Sequence, residues 1–131
     1  MDEIDFQILN LLKNNSRLTN KEIGSQIHMT GQAVGNRINR LLDDKIIKQF
    51  TIEIAYENTQ YIRLFMNNSE FTALEEAVNS FSEIEVFDKV SGQACYIIVA
   101  HFSREQLQVF IETISKWARY SVETVLVNRK K

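Results

Sequence analysis

At 131 residues, with 44% hydrophobic and 24% charged residues, the chain has the composition of a folded globular protein and room for one domain or two small ones, which excludes an extended disordered tail. A formal charge of -2 and a pI near 5.7 weigh against indiscriminate binding to polyanions. A single cysteine, Cys95, excludes an internal disulfide framework and a zinc site built on paired thiols.

The opening MDEIDFQIL has neither the basic nor the apolar segment of a signal peptide, and no apolar run approaches the roughly 20 residues that cross a bilayer. With the lone cysteine, this predicts a reducing, cytoplasmic location and no membrane. Ile4, Ile8, Leu11 and Leu12 form the stripe of an amphipathic helix capped by Asp2 and ended by the polar run Lys13 to Arg17. Thr19 and Glu22 read as a capping box opening a second helix, with Ile23 and Ile27 inward. His28-Met29-Thr30 is a short connection, and Thr30 caps a third helix that buries Val34, Ile38 and Leu41. Three short helices with a tight turn between the last two make a helix-turn-helix.

After Asp43-Asp44-Lys45 the period changes. Phe50, Ile52, Ile54 and Tyr56 alternate with polar residues, which predicts a strand, and Glu57 to Gln60 is the expected hinge. Tyr61–Met66 reads as a strand, Ser69–Phe81 as a helix, and Ile84–Val90 and Ala94–Phe102 as strands joined around Ser91-Gly92-Gln93. Ser103 caps a further helix, and Val122–Val127 closes as a strand. The order β-α-β-β-α-β is that of a ferredoxin-like domain. The expected fold is therefore α+β: a helix-turn-helix over 1–49, a strand linker over 50–60, and a ferredoxin-like domain over 61–131. Both helices of such a domain cover one sheet face. Tyr61–Met66 and Cys95–Ala100 do not alternate, so the other face also calls for burial, which predicts a homodimer through the open sheet.

The charge is segregated. From Lys13 to Lys48 there are seven Lys or Arg (13, 17, 21, 37, 40, 45 and 48) against Glu22, Asp43 and Asp44, a local excess of about +4. Opposite the buried stripe, the third helix carries Gln32, Gly35, Asn36 and Asn39. Amide side chains can bond bidentately to the adenine edge in the major groove, and Arg37 and Arg40 flank them as phosphate clamps. Gly31 and Gly35, poor helix formers, are read as allowing close approach to the duplex. Lys48 adds a further phosphate contact, whereas Arg129-Lys130-Lys131 is most simply a solvated end.

With both halves read, the chain resembles the Lrp/AsnC (feast/famine) transcription regulators over nearly its whole length. Met1 to Leu9 is similar to that family's LDxxDxxIL opening, and Arg17 to Gly24 to its second helix. Thr30 to Leu41 looks like its S-x-x-x-V-x-x-R-I-x-x-L recognition helix, with Thr30 at the cap and Arg37 at the arginine. Ile46 to Phe50 resembles the exit. The resemblance implies that the helix-turn-helix of 1–49 is winged, that 61–131 is a sensing and oligomerisation domain, and that dimers, often stacked into octamers, bind promoter DNA and respond to an amino acid or another small-molecule effector. No enzymatic activity and no cofactor are expected. Its effector loop falls on Ser91, Gly92, Gln93, Ala94 and Cys95. Two departures matter. Lys45 stands where the family has a glycine, so the turn there is expected to differ. Cys95 stands where the family has an aspartate, and a neutral thiol in an apolar strand cannot hold an ammonium by charge. That leaves a different ligand, no ligand, or a redox signal at Cys95; a buried cysteine is usually inert.

Other readings compete. A DNA-bending architectural protein without an effector fits the same features. An RNA-binding βαββαβ protein would need stacking aromatics that Ser91 to Tyr96 lacks. An enzyme would need a nucleophile, base or metal cluster; His28 and His101 are far apart in sequence, and nothing in spacing or glycine placement joins them with Cys95 in a triad.

Overall fold

The computed structural model describes residues 1–131 as two compact units, Met1–Ile54 and Ala55–Lys131. In the first, three helices follow one another: α1 (Glu3–Asn14), α2 (Asn20–Ile27) and α3 (Gly31–Asp43). Their starts are written in side chains that satisfy orphan N–H groups. Asp2 accepts from the Asp5 N–H while Asp5 reaches back to the Asp2 N–H. Thr19 and Glu22 do the same for α2, and Thr30 accepts from the Ala33 N–H at 3.1 Å. Ile8, Leu12, Ile23, Val34 and Ile38 form the shared core, with Ile4, Leu18, Ile27, Met29 and Ile47 packed around it.

The glycines of this unit serve the helix packing. A Cβ on Gly24 would lie 2.3 Å from the Met29 carbonyl oxygen, and one on Gly31 3.3 Å from the Lys21 nitrogen. On Gly35 it would lie 2.9 Å from the Asn20 side-chain nitrogen. The expectation that Gly31 and Gly35 clear space for a duplex is thus replaced: they let α3 approach the start of α2.

Lys45 keeps the turn it was expected to lose. Its φ is +58°, the left-handed conformation that a glycine adopts without strain. The Lys45 N–H donates to Leu42 O and the Ile46 N–H to Leu41 O, at 3.0 and 2.9 Å, the paired bonds of a Schellman ending. No wing and no strand follow. Phe50 to Tyr56, expected as a strand, joins no sheet, and Ile52 is 74% exposed. Its alternation is real, but a strand needs a ladder partner, and the chain offers this segment none.

The second unit holds β1 (Gln60–Met66), α4 (Phe71–Asn79), β2 (Ile84–Lys89), β3 (Tyr96–Ala100), α5 (Arg104–Ile114) and β4 (Ala118–Thr124). The sheet order is β2-β3-β1-β4, with every neighbouring pair antiparallel. Ile62, Leu64, Tyr96, Ile98 and Ala100 point to the helix side and pack with Leu74, Val78, Phe102, Phe110 and Ile114. β4 begins four residues before the expected Val122, because its register with β1 runs from Met66↔Ala118 to Gln60↔Thr124. On the other sheet face Val86, Val99, Tyr61 and Glu123 lie in one cross-strand row, and Asp88, Ile97, Arg63 and Ser121 in the next.

Candidate nucleic-acid interface

α3 sorts its side chains by the helical period. Val34, Ile38 and Leu41 are buried, while Gln32, Asn36, Asn39 and Arg40 are exposed. The amides fall near the middle of the outward face, with Arg40 at its margin. Thr30 stands at the N-terminal end of that face with its hydroxyl committed to the cap. Lys48 lies exposed beyond the Schellman turn. Five of the seven residues expected to meet DNA are thus accessible on or just after α3, and a sixth, Thr30, is exposed at its start.

Arg37 is the exception. Three residues after Val34 and four before Leu41, it lies on the margin of the buried stripe and turns toward α1. Its Nη1 donates to both carboxylate oxygens of Asp2, at 2.8 and 2.7 Å, and to Asp5 Oδ1 at 3.1 Å. Asp5 is buried at 7% exposure and the Arg37 side chain is 22% exposed. The Arg37 hydrogen bond, followed by that of the Asp5 N–H, holds the Asp2 carboxyl at about 2, below its ordinary 3.8. The phosphate clamp expected at Arg37 is instead an internal brace between α3 and the capping box of α1. Asp2 and Asp5 carried the family-like opening of the sequence, but nothing in their spacing announced this partner.

The expected effector loop separates into two parts. Ser91, Gly92 and Gln93 form an exposed turn between β2 and β3, with Gly92 at φ +145°. Ala94 is buried. Cys95 precedes β3 rather than lying inside it and is half-buried, not enclosed. Its N–H donates to Leu64 O at 2.8 Å and its carbonyl accepts from Val90 N–H at 3.0 Å, so the backbone there is fixed. Next to this turn, Glu75, Asn79, Phe87, Lys89 and Tyr96 line a cleft of about 280 Å³ between α4 and β2. The Tyr96 hydroxyl donates to Glu75 Oε2 at 2.5 Å; burial first, and this carboxylate second, push the phenol above its ordinary range. Sequence spacing did not reveal this grouping, since its members come from three separate elements.

Comparison with known proteins agrees with this architecture. Residues 1–42 match the AsnC-type helix-turn-helix domain. The chain is 39% identical over 137 residues to the HTH-type transcriptional regulator LrpB of Bacillus subtilis, covering all of this chain and 92% of that protein. Its structure is similar to that of B. subtilis LrpC, with a TM-score of 0.91, 25% identity and coverage of 99% and 97%. It also shares the fold of a Neisseria meningitidis transcriptional regulator solved as its L-Met complex, with a TM-score of 0.87, 20% identity and coverage of 100% and 93%. No helix is long and apolar enough to cross a membrane. The chain belongs to the Lrp/AsnC family: it is a DNA-binding transcriptional regulator, not an enzyme.

Proposed function

We propose that the regulator reads promoter DNA with the outward face of α3 set in the major groove. Gln32, Asn36 and Asn39 contact base edges, and Arg40 and Lys48 contact phosphates, with Thr30 at the entry of the helix. The observation that carries this reading is the run of exposed amides on α3 within a locally basic unit of an acidic chain. Arg37 acts one step removed, by bracing α3 against α1. On this reading the helix-turn-helix belongs to residues 1–49, the connection to 50–60, and sensing and assembly to 61–131.

Two copies pair through the open sheet face. There the half-buried Val86, Ile97 and Val99 stand beside Tyr61 without a helix over them. A two-fold dimer then addresses paired half-sites about 34 Å apart, one helical turn, and its amides favour adenine within each. Stacking of dimers into octamers is the next step of the same assembly. Work in the cytoplasm follows from this role.

A small-molecule effector acts at the second unit, at the turn Ser91 to Cys95. The Neisseria regulator bound to L-Met supports a sensing role for this fold. Cys95, with no carboxylate to offer, favours a ligand held otherwise than by an ammonium–aspartate pair. Selection of duplexes from a random pool tests the reading. Asn36→Ala should relax preference at one position of each half-site, where a lost bidentate contact is worth about 1–3 kcal/mol of discrimination. Arg40→Ala should weaken binding to all sequences and reduce the salt slope by about 1. Unchanged preference and slope in both variants would remove α3 as the reading element.

A further inference from the structure

Along α3, Gln32, Gly35 and Asn39 follow one another at spacings of three and four, so they are neighbours in one row of the helix surface. The outer two carry exposed amides, and the middle position has no side chain. That gap is filled from α2. A Cβ on Gly35 would lie 2.9 Å from the Asn20 side-chain nitrogen and 3.7 Å from its amide carbon, and no other atom from outside α3 lies within 4 Å of it. The Asn20 amide thus stands about where the head of a side chain at 35 would stand. Asn20 is itself exposed. Its neighbours in the capping box, Thr19 and Glu22, bond each other at 2.9 and 3.1 Å, and the Asn20 carboxamide shares in neither bond.

Close helix packing does not account for this glycine as it does for the other two. A Cβ on Gly24 would meet the Met29 carbonyl, and one on Gly31 the backbone of Lys21, neither of which can swing aside. At Gly35 the obstacle is only the free end of an exposed side chain. Glycine is a poor helix former, so what its presence at 35 provides is a seat for that side chain. The seat is held in place, because the Lys21 nitrogen next to Asn20 lies 3.3 Å from the Cβ position of Gly31. The group held there can do one thing that a solvated lysine or serine cannot. A carboxamide presents a donor and an acceptor together, the pattern that matches the N6/N7 edge of adenine. It carries no charge, so it displaces no counterion from the duplex.

We infer that Asn20 is a base-reading residue supplied by α2: its amide, seated on Gly35, completes the row between Gln32 and Asn39 and selects adenine at one further position of each half-site. The inference rests on the reading of α3 proposed above and extends it to a residue outside that helix.

The test is selection from a random duplex pool with the full chain and with Asn20→Ala, Gly35→Ala, the two combined, and Asn36→Ala. Asn20→Ala should lower adenine preference on the order of tenfold at one position, distinct from the one that Asn36→Ala relaxes. Its salt slope should equal that of wild type, in contrast to Arg40→Ala. Gly35→Ala should relax the same position as Asn20→Ala, because its methyl displaces the amide, and should add nothing once residue 20 is alanine. Asn20 is exposed, so its removal leaves the core intact and decides the matter even if Gly35→Ala fails to fold. If Asn36→Ala relaxes its position while Asn20→Ala keeps every preference of wild type, this inference falls and the reading of α3 stands. If both keep every preference, the reading of α3 falls and takes the inference with it. A uniform loss of affinity in Asn20→Ala, with preference intact, would make the residue a backbone contact and overturn base reading. Additive effects of Asn20→Ala and Gly35→Ala would overturn the seating of the amide on the glycine.

Discussion

Two residues of the first unit show how far a side chain's role follows from its place in a helix. The sequence motif puts Arg37 with the outward amides of α3, yet its spacing from Val34 and Leu41 already places it at the edge of the buried stripe, where an acidic partner on a neighbouring helix could claim it. Which acid would do so was not legible, because Asp2 and Asp5 are separated from it by more than thirty residues. The brace predicts a pH signature. Asp2 titrates at about 2 in the folded chain against an ordinary 3.8, so its contribution is present above the ordinary value and fades as pH falls toward 2. Asp2→Asn should therefore lower the urea midpoint of the helical unit at pH 7, and the gap to wild type should close as pH falls to about 2. An equal gap at both ends would mean that the pair does not stabilise the fold. Lys45 makes the opposite case. Held at φ +58°, it should be improved by glycine, and Lys45→Gly should raise stability by up to about 1 kcal/mol in the same melts. A loss of that size would mean that the lysine side chain stabilises the turn.

At the scale of the element, capping residues made the helices readable. Asp2, Thr19, Thr30 and Ser103 were assigned as caps from sequence, and each caps its helix in the structure. α4 was placed less well, since Glu70 supplies no side-chain cap and the helix starts two residues after the expected Ser69. Strands were harder for a physical reason: alternation shows that a segment could pair, not that a partner exists. Phe50 to Tyr56 alternates and stays unpaired, whereas β4 starts at Ala118 because β1 supplies the ladder. The packing of α2 against α3 gives a test of its own. Gly24→Ala places a methyl 2.3 Å from a backbone oxygen in the turn, and should destabilise the helical unit by about 1–3 kcal/mol in thermal melts. A change within a few tenths would show that the turn yields easily.

For the whole molecule, the segregation of charge and the composition of the sheet were both visible in the sequence, and they support different parts of the function. The basic excess lies between Lys13 and Lys48, around α3, while the open sheet face sets Tyr61, Val86, Ile97 and Val99 among Arg63, Asp88, Arg119 and Glu123. If that face joins two copies, Ile97→Asp should convert the dimer to monomers in sedimentation equilibrium and leave the helical unit's melt unchanged. A persistent dimer would place the interface elsewhere. Loss of the dimer should also weaken DNA binding, because a second reading helix no longer joins at an effective concentration set by the assembly. The cleft beside the turn Ser91 to Cys95 was least legible, since the residues that line it come from α4, β2 and β3 and meet only in the fold.

The most direct test of α3 as the reader of DNA is fluorescence anisotropy on the duplex upstream of the protein's own gene, beside a shuffled duplex of equal composition, at two salt concentrations. Wild type should prefer the native duplex and weaken steeply with salt, and the combined variant Gln32→Ala, Asn36→Ala, Asn39→Ala should bind both duplexes alike while remaining folded. A variant that still distinguishes them as wild type does would contradict the assignment of base reading to this face.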